Sequence, residues 1–200
     1  MIGIIDYGLG NVRAISNLLN VAEVDNCIVN DIEISANKFR GVVLPGVGSF
    51  DVAMNCLEKT SFDKWLEVAR EQTYIIGICL GMQVLFNDSE EGLKKGLGFL
   101  SGTIKKLERE DQIGIPNCGW REIDYVKKHQ DIFSPEKAYF NHSFAFRNPV
   151  DDKARGVLKN NREIVVSVEE GNLFGFQYHP ERSHNHGINL FKSFQDKFLK

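Results

Sequence analysis

The chain has 200 residues, 42% hydrophobic and 26% charged, with a formal net charge of -3. That size and mix suit one folded domain over residues 1–200 and give no reason to expect nucleic acid or an anionic membrane as partner. No apolar run reaches the roughly 20 residues of a membrane span, and the start carries no basic leader, so a cytoplasmic protein is expected.

In chain order, residues 2–6 read as a short apolar strand closing in turn residues. Residues 11–22 place Val12, Ile15, Leu18, Leu19 and Ala22 on one helical stripe. Strands follow at 27–29 and 41–44, the second closed by Pro45-Gly46, and then helical stretches at 50–59 and 61–72. Residues 74–78 form a strand apolar on both faces, and 80–87 read as a helix. Such runs separated by helices indicate a parallel sheet covered on both sides. The second half changes character: 103–107, 122–126, 137–146, 162–168 and 173–178 are strand-like and joined by turns. Residues 187–199 end the chain as a helix with Leu190, Phe194 and Phe198 on one face. The expected fold is α/β: a three-layer sandwich with a mostly parallel central sheet and extra antiparallel strands in the C-terminal half.

The strongest chemical signal is Gly77-Ile78-Cys79-Leu80-Gly81, between an apolar strand and a helix. It is the cysteine counterpart of the Gly-x-Ser-x-Gly elbow, in which a sharp turn pushes a nucleophile above the sheet. The tight turn needs small residues two before and two after. A helix N-terminus there favours thiolate, and the Leu80 N–H is free to bind an oxyanion. A buried structural cysteine is the competing reading. Cys27, Cys56 and Cys118 share no Cys-x-x-Cys spacing with it, so neither a zinc site nor a disulfide framework is expected.

A cysteine nucleophile needs a base, and the base needs an orienting group. His179-Pro180-Glu181 closes the strand at 173–178. In an extended segment residues i and i+2 point the same way, which sets His179 beside Glu181. The competing reading is a solvated strand end. His184 and His186 form a His-x-His pair without a supporting carboxylate or cysteine, so no metal is expected. Two glycine loops complete the set. Pro45-Gly46-Val47-Gly48 can turn a backbone N–H toward the site as a second oxyanion donor, and it lacks the lysine of a phosphate loop. Gly8-Leu9-Gly10-Asn11 has Arg13 at the third glycine position of a dinucleotide fingerprint, so it reads as a tight connection with a possible interface role.

Taken together, these motifs resemble the class I (triad) glutamine amidotransferases, and within them the glutaminases of imidazole glycerol phosphate synthase. The resemblance covers nearly the whole chain. It includes Asp6-Tyr7-Gly8, Gly10-Asn11, Pro45-Gly46-Val47-Gly48, Gly77 through Gln83, Gly119-Trp120, His142-Ser143 and His179-Pro180-Glu181. It implies the flavodoxin-like fold of that family and no cofactor. It also implies a Cys79 thioester on glutamine, His179 as base, Glu181 as orienter, and Leu80 and Val47 as oxyanion donors. Gly48, Gln83, His142, Ser143 and Phe144 would hold the amino-acid end of the substrate. Ammonia would pass to a (β/α)₈ synthase subunit in a heterodimer, docked around Asn11, Trp120 and Arg182. The chain departs from the pattern at Asn117-Cys118, Arg121, Phe144, Arg182 and His184, where the family meets its partner or shields the site. A related class supplies ammonia to sugar-modifying synthases of surface-polysaccharide loci and is the alternative. A silent binding subunit and a free-standing peptidase or γ-glutamyl hydrolase are weaker readings, against an intact triad, small size and no leader.

Overall fold

A computed structural model describes residues 1–111, 113–127, 129 and 132–198. Its first half builds a parallel sheet. β1 (Ile2–Ile5) lies between β2 (Asn26–Val29) and β3 (Gly41–Leu44), and β3 pairs with β4 (Tyr74–Ile78). Along these strands alternate side chains enter opposite cores. Val42, Leu44 and Ile75 face one cluster, and Ile2, Ile4, Val43, Ile76 and Ile78 face the other. α2 (Phe50–Thr60) and α3 (Phe62–Ala69) cover the first face with Phe50, Leu57, Phe62 and Leu66. α1 (Val12–Val21) and α5 (Asn185–Phe198) cover the second with Ile15, Leu19, Leu190, Phe191 and Phe194. The three layers follow from strands that are apolar on both faces and helices that are apolar on one.

The chain re-enters the sheet at its end. β12 (Leu173–Phe176) pairs in parallel with β4, bringing Phe176 opposite Ile78. Cys79 and His179, far apart in sequence, therefore leave the same C-terminal edge of the parallel strands, where open α/β sheets place their ligands. Beyond β12 the sheet turns antiparallel through β11 (Asn161–Glu170), β10 (Ala154–Leu158), β7 (Asn117–Tyr125) and β8 (Lys137–His142). A branch of β5 (Phe86–Ser89), β6 (Leu100–Lys106) and β9 (Phe144–Phe146) joins it through β11.

Three local expectations are corrected. The helix expected over 80–87 stops as α4 (Leu80–Gln83), a single turn. The carbonyls of Val84, Leu85 and Phe86 accept instead from Leu97, Leu100 and Gly98, so tertiary bonds replace helical ones. The strand expected over 137–146 breaks at Ser143, because β8 pairs with β7 while β9 pairs with β6 and β11. The strand expected over 122–126 begins earlier, at Asn117, so that Trp120 sits on β7 opposite Tyr139. β5 begins inside the expected helix, at Phe86, and β10 carried no sequence expectation. The expected helix end at Leu199 and the side chain of Phe198 lie outside the described residues. Among the described residues no helix is long and apolar enough to cross a membrane.

Candidate active site

Cys79 stands between β4 and α4 with φ 53° and ψ −111°, a conformation side chains rarely adopt. Its N–H donates to the Phe176 carbonyl at 2.7 Å, and its carbonyl accepts from Met82 and Gln83 at 3.0 and 3.1 Å. The flanking glycines are required by packing. A Cβ on Gly77 would lie 2.7 Å from Met82 Cα, and one on Gly81 would overlap the Leu44 carbonyl oxygen. A one-turn helix leaves less dipole to favour a thiolate than the helix expected over 80–87 would supply. The side chain of Cys79 is buried.

His179 is fixed to β8: its N–H donates to the Tyr139 carbonyl at 2.8 Å, while the Ser183 hydroxyl donates to its carbonyl at 2.7 Å. His179 Nδ1 and Glu181 Oε1 are 2.8 Å apart, and both side chains are nearly covered. The pairing was expected from an extended i, i+2 arrangement. It arises instead from a 3₁₀ turn over Pro180–Arg182, whose first position suits proline. With Nδ1 engaged by Glu181, Nε2 is left for Cys79. Burial opposes a charged ring, but hydrogen bonds to Cys79 and Glu181 outweigh it and push His179 up to about 10.

Around them lies a cavity of about 210 Å³. Of the residues singled out in the sequence, it gathers Val47, Gly48, Cys79, Leu80, Gln83, His142, Ser143, Phe144 and His179. Glu181 stands behind His179. Among the described residues, no backbone carbonyl takes the N–H of Leu80 or Val47. Gln83 donates to the Phe144 carbonyl at 3.0 Å. His142 has both ring nitrogens engaged, Nδ1 with the Phe144 carbonyl and Nε2 with the Asn117 amide, each at 2.9 Å. The carbonyl can only accept, so Nδ1 carries the hydrogen. Burial lowers this ring to about 4 and keeps it neutral. His142 thus offers the cavity ring surface and backbone, with no free nitrogen.

Sequence reading missed Glu91, Pro116 and Asn141 in the cavity wall. Glu91 is held there by the Phe50 N–H at 2.8 Å, and burial raises its carboxyl. The next residues are clasped by Asp51, which accepts from the Leu93 and Lys94 N–H groups. The Glu90-Glu91 pair after the elbow was the available signal. Glu90 pairs with Lys105, so only one of the two carboxylates reaches inward.

The three expected docking residues do not form one contact. Arg182 lies over the Tyr139 ring at 4.4 Å, and Trp120 meets the same ring edge-on at 6.4 Å. His184 stacks on Trp120 at 5.5 Å. Asn11 is separate: its side chain accepts from the Ala14 N–H and caps α1. Ala14, Asn17 and Leu18 of that helix share a groove with Glu181, Arg182 and His184.

The glutamine amidotransferase class-I family profile matches residues 3–197. Imidazole glycerol phosphate synthase subunit HisH 2 of Methanococcus maripaludis is 36% identical over 97% of this chain and 98% of its own. Subunit HisH of Leptospira interrogans is 34% identical with the same coverages, 97% and 98%. A crystal structure of a glutamine amidotransferase superposes with a TM-score of 0.71 at 14% identity, over 98% of this chain and 97% of that one, a likeness of fold.

Proposed function

The chain belongs to the class-I glutamine amidotransferase family, and from that membership we propose how its own residues act. The chain is the glutaminase subunit of an imidazole glycerol phosphate synthase in histidine biosynthesis, a single domain working in the cytoplasm. It hydrolyses glutamine and passes the ammonia to a (β/α)₈ cyclase subunit in a heterodimer.

Cys79 gives its proton to His179 Nε2 and attacks the carboxamide carbon of glutamine. The N–H groups of Leu80 and Val47 take the developing oxyanion. Collapse breaks the C–N bond, His179 returns the proton to the departing ammonia, and a thioester remains. Water then attacks with His179 as base and releases glutamate. Glu181 fixes the tautomer and supports the imidazolium. Gln83, Gly48 and the stretch from His142 to Phe144 hold the amino-acid end, and the Glu91 carboxylate suits its ammonium group. Trp120 and Arg182 face the cyclase, and Asn11 does so separately, from the start of α1.

One observation carries the chemistry: Cys79 and His179, with Glu181 behind it, meet at one cavity whose Leu80 and Val47 N–H groups are taken by no backbone carbonyl among the described residues. A glutamine analogue bearing a thiol-alkylating group tests it, with the label mapped by mass spectrometry. Labelling is expected on Cys79, and labelling of Cys27, Cys56 or Cys118 instead would remove the assignment. For the pathway, the chain should restore histidine-free growth to a strain lacking its own glutaminase subunit when supplied with the cyclase encoded beside it. Failure with ammonia release intact would move the acceptor elsewhere, toward a sugar-modifying synthase.

A further inference from the structure

Beneath the reacting sulfur lies a chain of amides that the triad does not use. Gln177 is fully buried, two residues before His179. Its Nε2 is 3.7 Å from Cys79 Sγ, and its Oε1 accepts from Gln83 Nε2 at 3.0 Å. Gln83 Nε2 also donates to the Phe144 carbonyl at 3.0 Å. The direction of this chain cannot reverse. A backbone carbonyl only accepts, so Gln83 must turn its NH₂ toward Phe144. The second hydrogen of that NH₂ goes to Gln177, whose oxygen is therefore the end facing Gln83. The NH₂ of Gln177 is left aimed at sulfur. On another side of the sulfur, at 3.9 Å, is the Asn141 carbonyl, which suits the hydrogen of the thiol. The sulfur thus has one neighbour that accepts from a thiol and one, nearer, that donates to a thiolate.

We propose that Gln177 is a further catalytic residue of the hydrolysis: its amide N–H stabilises the Cys79 thiolate, with an orientation imposed by the Phe144 carbonyl through Gln83. This rests on Cys79 being the nucleophile. In the step concerned the S–H bond breaks, the proton bonds to His179 Nε2, and the electron pair stays on sulfur, where the Gln177 N–H meets it. A buried charge lacking such a donor is strongly disfavoured. The donor replaces part of what the truncated helix does not supply. Holding the thiolate also blunts it, since nucleophilicity falls as basicity falls, with a Brønsted slope near 0.4–0.5. About half the gain in thiolate, on a logarithmic scale, survives in the rate. For a hydrogen bond to a charged group that corresponds to roughly 3- to 10-fold.

The test uses the full chain with Gln177→Met, which keeps length and bulk without the donor. Glutamine hydrolysis and the ultraviolet absorbance of the thiolate are measured, with Cys79→Ser as reference. The expected result is a kcat lower by roughly 3- to 10-fold, KM for glutamine within about twofold, and a weaker thiolate band. A raised KM with kcat and absorbance unchanged would overturn the proposal, leaving Gln177 as a prop for Gln83. The unmutated protein gives a second measurement free of folding effects. Capping Cys79 with methyl methanethiosulfonate removes the charge, so the Gln177 side-chain amide resonance should shift, and an unmoved resonance also overturns it. Hydrolysis surviving in Cys79→Ser would remove the nucleophile assignment itself and the proposal with it.

Discussion

Two glycine-bearing turns flank the Cys79 sulfur, and they are held by different means. The elbow is locked by packing: Gly77 abuts Met82, Gly81 abuts Leu44, and the Cys79 peptide is hydrogen-bonded on both sides. The second turn is anchored before and after its tip, and the tip itself is held loosely. The Tyr7 hydroxyl donates to the Pro45 carbonyl at 2.9 Å, and Gly46 packs on Leu80 and Gly81. Past the tip, Phe50 is buried and its N–H donates to Glu91, so the looseness is confined to Val47 and Gly48. Val47 is 47% exposed, and a Cβ added to Gly48 would meet nothing within 4 Å. The proposed nucleophile is therefore placed by the core, and the proposed second oxyanion donor by a backbone conformation that is cheap to change. An activator has one of these turns to work on.

The largest expected effect breaks the rigid side. Cys79→Ala should abolish glutamine hydrolysis, while alanine at Cys27, Cys56 or Cys118 should leave it near the unmutated rate. Residual turnover in the Cys79 variant, assayed as ammonia released, would mean that the elbow holds nothing reactive.

Glu181→Gln comes next. It keeps the shape but removes the charge that supports the imidazolium, so kcat should fall on the order of 10³-fold with little change in KM. The pH response has a fixed sign. His179 is raised in the folded protein, so its contribution to stability is complete below the unfolded value near 6.5 and lost as pH rises through about 10. The stability advantage over Glu181→Gln should be largest in mild acid and fade across that window. Chemical denaturation at several pH values reads this directly, and an advantage that grew with pH would contradict the coupling.

How much of this was legible without coordinates depends on how local each cause is. β3 and β4 match the ranges expected from sequence, because strands apolar on both faces have no competing pattern. The segment after the elbow was misread because Met82, Val84, Leu85 and Phe86 suit a helix equally well. Only the tertiary acceptors at 84–86 end it. β7 was half missed because Asn117-Cys118-Gly119-Trp120 does not alternate, and its strand character comes from pairing with β8. In the site, Cys79, His179 and Glu181 announce themselves by spacing. Glu91 has only its Glu90 neighbour as a signal, and Gln177 is placed by contacts to Cys79 and Gln83, far off in sequence.

The flexible turn predicts a split between two reactions of Cys79. In the isolated chain, alkylation of Cys79 should already be fast, because displacement by a simple haloamide needs no oxyanion hole. Glutamine hydrolysis should be slow until the cyclase and its acceptor bind and set the Val47 N–H. Losing one oxyanion donor typically lowers turnover about 10²- to 10³-fold, which bounds the rise. Arg182→Ala or Trp120→Ala should weaken the complex and raise the ammonia leaked per product formed. If Arg182 gains a partner carboxylate in a desolvated rim, its loss would weaken binding by about 2–5 kcal/mol. Full hydrolysis by the isolated chain would show that both turns are already set.

The smallest effect separates the two turns by stability alone. Gly81→Ala and Gly48→Ala add the same methyl group on either side of the sulfur. At Gly81 the methyl overlaps the Leu44 carbonyl, a backbone atom that cannot step aside without moving β3. Overpacking of that kind costs about 1–3 kcal/mol or more, and the shift passes directly to Cys79. At Gly48 there is open space, and the cost is conformational: φ is +114°, where an L side chain is strained by roughly 1–3 kcal/mol. That strain has an exit which the Gly81 clash lacks. The loop can relax by rotating the Val47–Gly48 peptide at little expense to the core. Gly48→Ala should therefore unfold only slightly earlier than the unmutated chain, keep its Cys79 alkylation rate, and respond differently to the cyclase. Gly81→Ala should lose stability and alkylation together. Thermal melts and alkylation rates of the two variants decide it. Equal losses in both would mean that the second turn is as firmly built as the first, and that activation must act on the triad.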